Sequence, residues 1–239
     1  MSAAGGRRKP RLWLAGLLLG RRYQVIRARP GIIEFLRARR IDQVIDVGAN
    51  EGQFAAMLRR GGYDGGILSL EPVAEVFERL RARAAGDPRW RVLRCGAGAQ
   101  AGHAEIGVAA SSVFSSINPT TAAAAAFEAK SLAVRHESIE LVTLDGLCAD
   151  MTGNIFVKID TQGYEAQVIA GARALLGRAL GVQLELPCIH LYEGTWSIAE
   201  AIAQMQALGF ALCQAEPVNF SKTDPVSLVE LDCLFGRPV

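Results

Sequence analysis

Three acids stand in one recurring context. Asp46 follows Val44 and Ile45, Glu71 closes Ile67-Leu68-Ser69-Leu70, and Asp160 closes Ile155-Phe156-Val157-Lys158-Ile159. Each sits at the carboxyl end of a short, mainly apolar run, and Val44, Ile45 and Val47 are β-branched, as a strand covered on both faces requires. Ligands of open α/β sheets bind at such carboxyl ends. Glu71 lies 25 residues beyond Asp46, near the spacing at which a second-strand acid meets ribose hydroxyls. A carboxylate accepts both hydrogen bonds of a vicinal diol. The plainer reading is that Asp46 and Glu71 only cap the helices that follow.

Between the first two acids runs Gly48-Ala49-Asn50-Glu51-Gly52. Gly48 and Gly52 let the backbone turn tightly and approach a ligand closely. The pattern is not Gly-x-Gly-x-x-Gly, and a pyrophosphate wants bare N–H groups with no acid beside them. Asp46 and Glu51 flank the glycines here, which suits a cationic ligand. S-adenosylmethionine carries a sulfonium, an ammonium and a ribose, so it is expected over NAD on electrostatic grounds.

Lys158 and Asp160 are two apart on one strand and share a face. A lysine there is costly unless paired. One reading is a structural ion pair with a neighbouring acid such as Glu185. The other has Asp160 bordering a transferable methyl group and orienting a substrate hydroxyl, with Lys158 tuning it. The reaction would be in-line attack of a hydroxyl on a sulfonium methyl, where alignment supplies about 7–11 kcal/mol and a general base about 10²–10⁴ in rate. Base candidates are Asp160, Glu185 and His190; His103 and His136 are weaker ones. No cluster has metal-ligand spacing, and Asp160 with Glu185 offers too few oxygens for a hard ion.

These residues need strands and helices in alternation. The pattern predicts a helix over 30–40, a strand over 43–48 and a helix over 53–60, with Phe54, Met57 and Leu58 on one face. A strand over 67–71, a helix over 73–85 and a strand over 90–95 follow. Residues 100–150 break the rhythm. They read as an insertion near the ligand cleft, with strands at 103–108 and 138–144 and an alanine-rich helix at 120–130. The core resumes with a strand over 154–160, a helix over 164–176, a strand over 181–187 and a helix over 196–208. Two successive strands, 210–215 and 228–235, end the chain. With no helix between them they form a hairpin, so the last strand runs antiparallel to an otherwise parallel sheet. The expected fold is α/β: a doubly wound, Rossmann-like sheet of seven strands, over 41–239, behind an N-terminal helical arm, 1–40.

The chain has 239 residues, half of them hydrophobic, enough for one full α/β core. A net charge of +2 argues against a nucleic-acid protein driven by phosphate contacts. The basic excess is local, from Arg7 to Arg29. Arg7-Arg8-Lys9 precede an apolar run, Leu12 to Leu19, which is far short of the roughly 20 residues needed to span a bilayer. Arg21-Arg22 follow in place of a cleavage site. A flanking helix is expected, with weak peripheral membrane contact through 7–29 as the minority reading. Five cysteines lie singly, which fits reduced thiols in a cytoplasmic protein; Cys95, Cys213 and Cys233 fall in strand-like runs and read as small core residues.

Ile45-Asp46-Val47-Gly48-Ala49-Asn50-Glu51-Gly52-Gln53, Leu70-Glu71-Pro72, Val142-Thr143-Leu144-Asp145 and Val157-Lys158-Ile159-Asp160-Thr161-Gln162-Gly163-Tyr164-Glu165 occur in that order. With Leu184-Glu185-Leu186, Leu191-Tyr192-Glu193-Gly194 and Glu230-Leu231-Asp232-Cys233-Leu234-Phe235, they resemble the FkbM family of S-adenosylmethionine-dependent methyltransferases. The resemblance runs over about residues 41–237. It implies a class I methyltransferase fold, S-adenosylmethionine as cofactor, and O-methylation of a natural product, sugar or glycolipid. It also implies cofactor contacts at Asp46, Gly48, Asn50 and Glu71. Many members of the family carry an acid where this chain has Gln162, so no role that needs a carboxylate there transfers. The competing readings are a Rossmann oxidoreductase using NAD or another nucleotide, and a member that binds cofactor without catalysis.

Overall fold

The computed structural model describes residues 31–238, so the expected helix and membrane contact over 7–29 lie outside the described residues. A short helix, α1 (Ile32–Ala38), leads into the first strand. The alternating core then runs β1 (Gln43–Val47), α2 (Gln53–Arg60), β2 (Gly66–Leu70), α3 (Ala74–Ala84) and β3 (Trp90–Leu93). The interrupted stretch holds β4 (Gly96–Ala97), β5 (Gly102–Ala109), α4 (Ala122–Phe127), β6 (Ala133–Val142) and the one-turn α5 (Leu144–Leu147). The chain closes with β7 (Ile155–Ile159), α6 (Glu165–Ala170), α7 (Arg173–Arg178), β8 (Gly181–Pro187), α8 (Ile198–Ala207), β9 (Ala211–Phe220) and β10 (Leu228–Gly236).

Seven strands form one sheet in the order β3-β2-β1-β7-β8-β10-β9. Neighbours among the first five are parallel. The last strand, β10, is antiparallel to both β8 and β9. It lies inside the sheet, and β9 takes the edge. This is the class I methyltransferase architecture. The chain winds outward from β1 to β3 and returns to the other side of β1 as β7. A crevice opens at the strand tips where winding reverses.

Strand alternation sorts the core onto two faces. Val44, Ile67, Phe156 and Leu234 pack with Leu36, Leu58 and Leu80 from α1, α2 and α3. Ile45, Val47, Val157, Ile159, Leu184 and Phe235 pack with Val168, Leu176 and Met205 from the later helices. A second sheet, β4-β6-β5, packs Ile106, Val108, Ile139 and Leu141 against Val73 and Val76 at the start of α3.

Three elements depart from the pattern reading. The expected helix over 164–176 is two, parted at Gly171, where a Cβ would come 2.0 Å from the Gly98 carbonyl oxygen. Strand β6 begins at Ala133 and β9 runs on to Phe220. Both extensions are largely solvent-exposed, so they carry no apolar alternation to read. Cys213 is exposed on that edge strand, not in the core; Cys95 and Cys233 are buried.

Candidate active site

The turn after β1 is built by residues in left-handed backbone: Gly48 at φ 74°, Asn50 at φ 47° and Gly52 at φ 81°. The Gly48 and Ala49 amides donate to the Leu70 carbonyl at 3.1 and 2.9 Å, tying the turn to β2. A Cβ on Gly48 would lie 1.8 Å from the Asp160 carbonyl oxygen, so only hydrogen fits between the tips of β1 and β7. Gly52 is a packing glycine, because a Cβ there would strike Trp90 and Leu80. It does not line the cavity.

Glu71 is buried and held at both oxygens. Oε2 accepts from the Asn50 amide at 3.0 Å and Oε1 from the Val73 amide at 2.9 Å. It thus caps the entry to α3 and also grips the glycine turn. Each oxygen keeps a lone pair for a further donor. Burial pushes its carboxyl up to about 7, against the pull of the two amides.

Asp46 is fully buried below the cavity floor and does not line it. It stands in a polar row across the sheet, in register with Ser69 on one side and Lys158 on the other. Trp90 Nε1 donates to Ser69 Oγ at 3.0 Å, and Ser69 Oγ to Asp46 Oδ2 at 3.4 Å. Lys158 Nζ lies 3.5 Å from Asp46 Oδ1 and 3.1 Å from Asp160 Oδ2, over the Phe54 ring. The lysine's ion partners are therefore Asp46 and Asp160 rather than Glu185, the example named in the ion-pair reading. A row residue one position short of the strand's last residue points into a helix-covered face, which is why Asp46 meets no ligand space. Burial raises the Asp46 carboxyl, and Lys158 only partly offsets it. For Asp160 burial acts the same way, but Lys158 and Gln162 outweigh it and hold the carboxyl low. The Lys158 ammonium stays charged: burial opposes it, and Asp160 and Asp46 raise its pKa further.

Gln162, at φ 55°, joins the acids above that row. Its Nε2 donates to Asp160 Oδ1 at 2.9 Å and to Glu185 Oε2 at 2.6 Å. Its Oε1 accepts from the Tyr192 hydroxyl at 2.8 Å. An amide donor thus fills the gap between two carboxylates that a cation would otherwise bridge. Burial first, then Asp160, Glu230 and Asp232, push the Glu185 carboxyl well above the usual range.

A cavity of about 370 Å³ lies over these tips, within the range of small-molecule sites. Gly48, Asn50, Glu71, Asp160 and Glu185 all line it. Lys158 is beneath them. His190 stands exposed on the loop after β8, outside the lining. The insertion supplies the opposite wall through Ser112, Phe114 and Ile117. It is stitched on by Asn50 Nδ2 to Ser112 Oγ (3.2 Å), Ser116 Oγ to the Gln162 carbonyl (2.6 Å) and Asn118 Nδ2 to the Gly163 carbonyl (2.8 Å).

Sequence reasoning missed Asn219, Tyr164 and Glu230 on this wall. For Glu230 the signal was available. In an antiparallel strand the first residues, not the last, reach the ligand edge. Glu230 begins β10 and sits level with Pro187 at the end of β8.

The Methyltransferase FkbM domain family matches residues 46–212 of the chain. No curated protein matches it. Among solved structures, the magnesium protoporphyrin IX methyltransferase of Synechocystis PCC 6803, with bound SAM, is 10% identical, at 87% coverage of this chain and 76% of that one and a TM-score of 0.46. An rRNA methylase of Streptococcus thermophilus is 10% identical, at 87% and 94% coverage and a TM-score of 0.47. The 1,6-didemethyltoxoflavin-N1-methyltransferase of Burkholderia thailandensis, with its substrate and S-adenosylhomocysteine, is 11% identical, at 87% and 76% coverage and a TM-score of 0.45.

Proposed function

The chain belongs to the FkbM methyltransferase family, and from that premise we propose that it O-methylates a hydroxyl of a sugar, glycolipid or similar natural product in the cavity over the strand tips. The methyl donor is S-adenosylmethionine, which when bound supplies a methyl group already activated by the sulfonium. The observation that carries the reading is the Glu71–Asn50–Gly48 cradle opening onto a wall of acids. Glu71 is held rigidly at the second strand tip, with lone pairs left for a ribose diol. Gly48 brings the bare backbone of the turn to the cavity. Asp160, held ionised by Lys158, gives that space a negative charge suited to a cation.

In this scheme the protein mainly positions. Asp46 acts from below, fixing Lys158, which in turn keeps Asp160 ionised and oriented beside the methyl group. Glu185, on the acceptor side, is the better base: its raised carboxyl takes up a proton that Asp160 would not hold. Gln162 sets the separation of the two. The polar insertion wall, Ser112 and Ser115 around Phe114, suits a hydroxylated ring that stacks on an aromatic face.

Calorimetry with S-adenosylmethionine, S-adenosylhomocysteine and NAD tests the donor. Binding of the first two is expected, and a preference for NAD overturns the reading. Transfer of labelled methyl across a panel of glycans, glycolipids and other hydroxylated compounds tests the acceptor. Label found on nitrogen or on RNA instead of hydroxyl oxygen would reject O-methylation while leaving the donor site standing.

A further inference from the structure

We propose that Glu230 is the acceptor-side partner of Glu185: the two carboxyls hold the acceptor hydroxyl between them, and one of them takes its proton as the methyl is transferred. This rests on the O-methylation reading above and adds to it a residue from the far end of the chain.

Glu230 is 5% exposed, which a carboxylate tolerates only with partners or a task. It lines both the main cavity and a small hollow beside it, and Glu185 lines the same two spaces. The register explains the meeting. Glu185 pairs with Asp232 across β8 and β10, and Glu230 pairs with Pro187, so Glu230 lies on the diagonal from Glu185 on one face of the sheet. Diagonal positions are about 7–8 Å apart at the backbone, within reach of long side chains, and a hydroxyl oxygen fits between two glutamates so placed. The pairing of β10 with β9 shifts on each side of Glu230, the kind of irregularity that re-aims a side chain beside an active site.

Each carboxylate is clamped by an amide. Gln162 Nε2 donates to Glu185 Oε2, and Asn219 Nδ2 donates to Glu230 Oε2, both at 2.6 Å. The titratable groups around the pair are Lys158 on β7, Asp160 just past its end, Cys188 just past β8, Asp232 on β10 and the Tyr192 phenol. Lys158 also acts on Glu185 but is already paired with Asp46 and Asp160. Burial first, then the neighbouring acids, raise both carboxyls. Like charges so confined cannot all ionise easily; Glu185 is hydrogen-bonded to Asp160 and feels the charge of Glu230, and on this proposal the proton lies between the two glutamates. Asp160, held low by Lys158, is the poorer proton acceptor.

The step balances without a further reactant. The acceptor O–H bond breaks and its proton passes to the ionised carboxylate. The oxygen forms its bond to the methyl carbon, and the carbon–sulfur pair stays on sulfur as a neutral thioether.

Infrared titration of the whole chain with ¹³C-labelled glutamate and saturating S-adenosylhomocysteine, compared with the Glu185→Gln and Glu230→Gln variants, separates the pair from Glu71 and Glu165, whose carboxyls are also raised. A protonated carboxyl band is expected to persist above the ordinary carboxylate range. Glu230→Gln should move the Glu185 titration to lower pH, and Glu185→Gln should do the same to Glu230. Unchanged titration of the surviving glutamate in both variants overturns the proposal. So does loss of S-adenosylhomocysteine binding in a folded Glu230→Gln protein, which would make Glu230 a donor-site residue. Against a glycan accepted by the wild type, Glu230→Gln should lower kcat by about 10²–10⁴ with KM for S-adenosylmethionine kept. If wild-type protein binds no S-adenosylhomocysteine at all, the methyltransferase reading fails by itself, and the same titration without ligand still decides whether the pair shares a proton.

Discussion

Glu71 and Lys158 show how environment assigns different work to charged residues a few ångströms from one cavity. Glu71 is buried yet keeps spare lone pairs, and its carboxyl titrates at about 7. Ribose hydroxyls and a cationic donor both want it ionised, so affinity for S-adenosylmethionine should climb as pH rises through 7 and level off above it. Calorimetry across that range, repeated in buffers of different ionisation heat, should register proton release on binding. Glu71→Ala should weaken donor binding more than tenfold, the cost of a charged hydrogen-bonded contact, and should flatten the pH profile. Lys158 answers to structure instead. Lys158→Met leaves the fully buried Asp46 and the cavity-wall Asp160 without the cation between them. Removing one partner of a buried pair costs about 3–5 kcal/mol, which denaturant melts will read. Adding Asp46→Asn to that variant should recover part of the loss, since it deletes one of the stranded charges.

At the scale of elements, the site depends on how closely β1 and β7 converge. Gly48 turns where the Asp160 carbonyl passes, and no side chain fits there. Gly48→Ala therefore forces the two tips apart. The left-handed backbone alone costs about 1–2 kcal/mol, and the clash adds to it. A lowered melting temperature together with loss of donor binding is expected; a folded variant with wild-type affinity would mean that the turn is not the cradle. The three-stranded sheet of the insertion plays a different part. It anchors on Val73 and Val76, just past Glu71, and reaches back to the glycine turn through Ser112 and Asn50. One helix entry thus fixes both walls of the cavity.

For the molecule as a whole, the balance of buried acids sets the pH dependence of stability. Asp46, Glu71, Glu165, Glu185, Glu230 and Asp232 all have raised carboxyls, with burial the largest cause in each. A raised acid binds more protons folded than unfolded between its two pKa values, so stability falls as pH rises across that window. For Glu71 the window runs from about 4.5 to about 7. Asp160, with its lowered carboxyl, works in the opposite sense but only below the ordinary carboxylate range. The ligand-free protein should accordingly melt at a higher temperature at pH 5.5 than at pH 7.5. A thermal scan series with the reverse slope would contradict this charge arrangement. Among the described residues, no helix is long and apolar enough to cross a membrane.

The sequence alone determined the alternation of strands and helices, the turn at Gly48, the acids at the strand tips and the hairpin at the end. All are local: β-branched runs, left-handed glycines and 3.6-residue periodicity are written within a few neighbours of each residue. Tertiary structure decided which acids face the ligand space. Asp46 and Asp160 look alike in sequence, but only Asp160 lies past its strand's last covered position, so one became a buried counter-ion and the other a wall. Glu230 was marked only indirectly, through the hairpin at the chain's end; its place follows from β10 running against its neighbours and entering the sheet between β8 and β9. Strand direction and register are long-range properties, and they carried Glu230 from the far end of the chain to the side of Glu185.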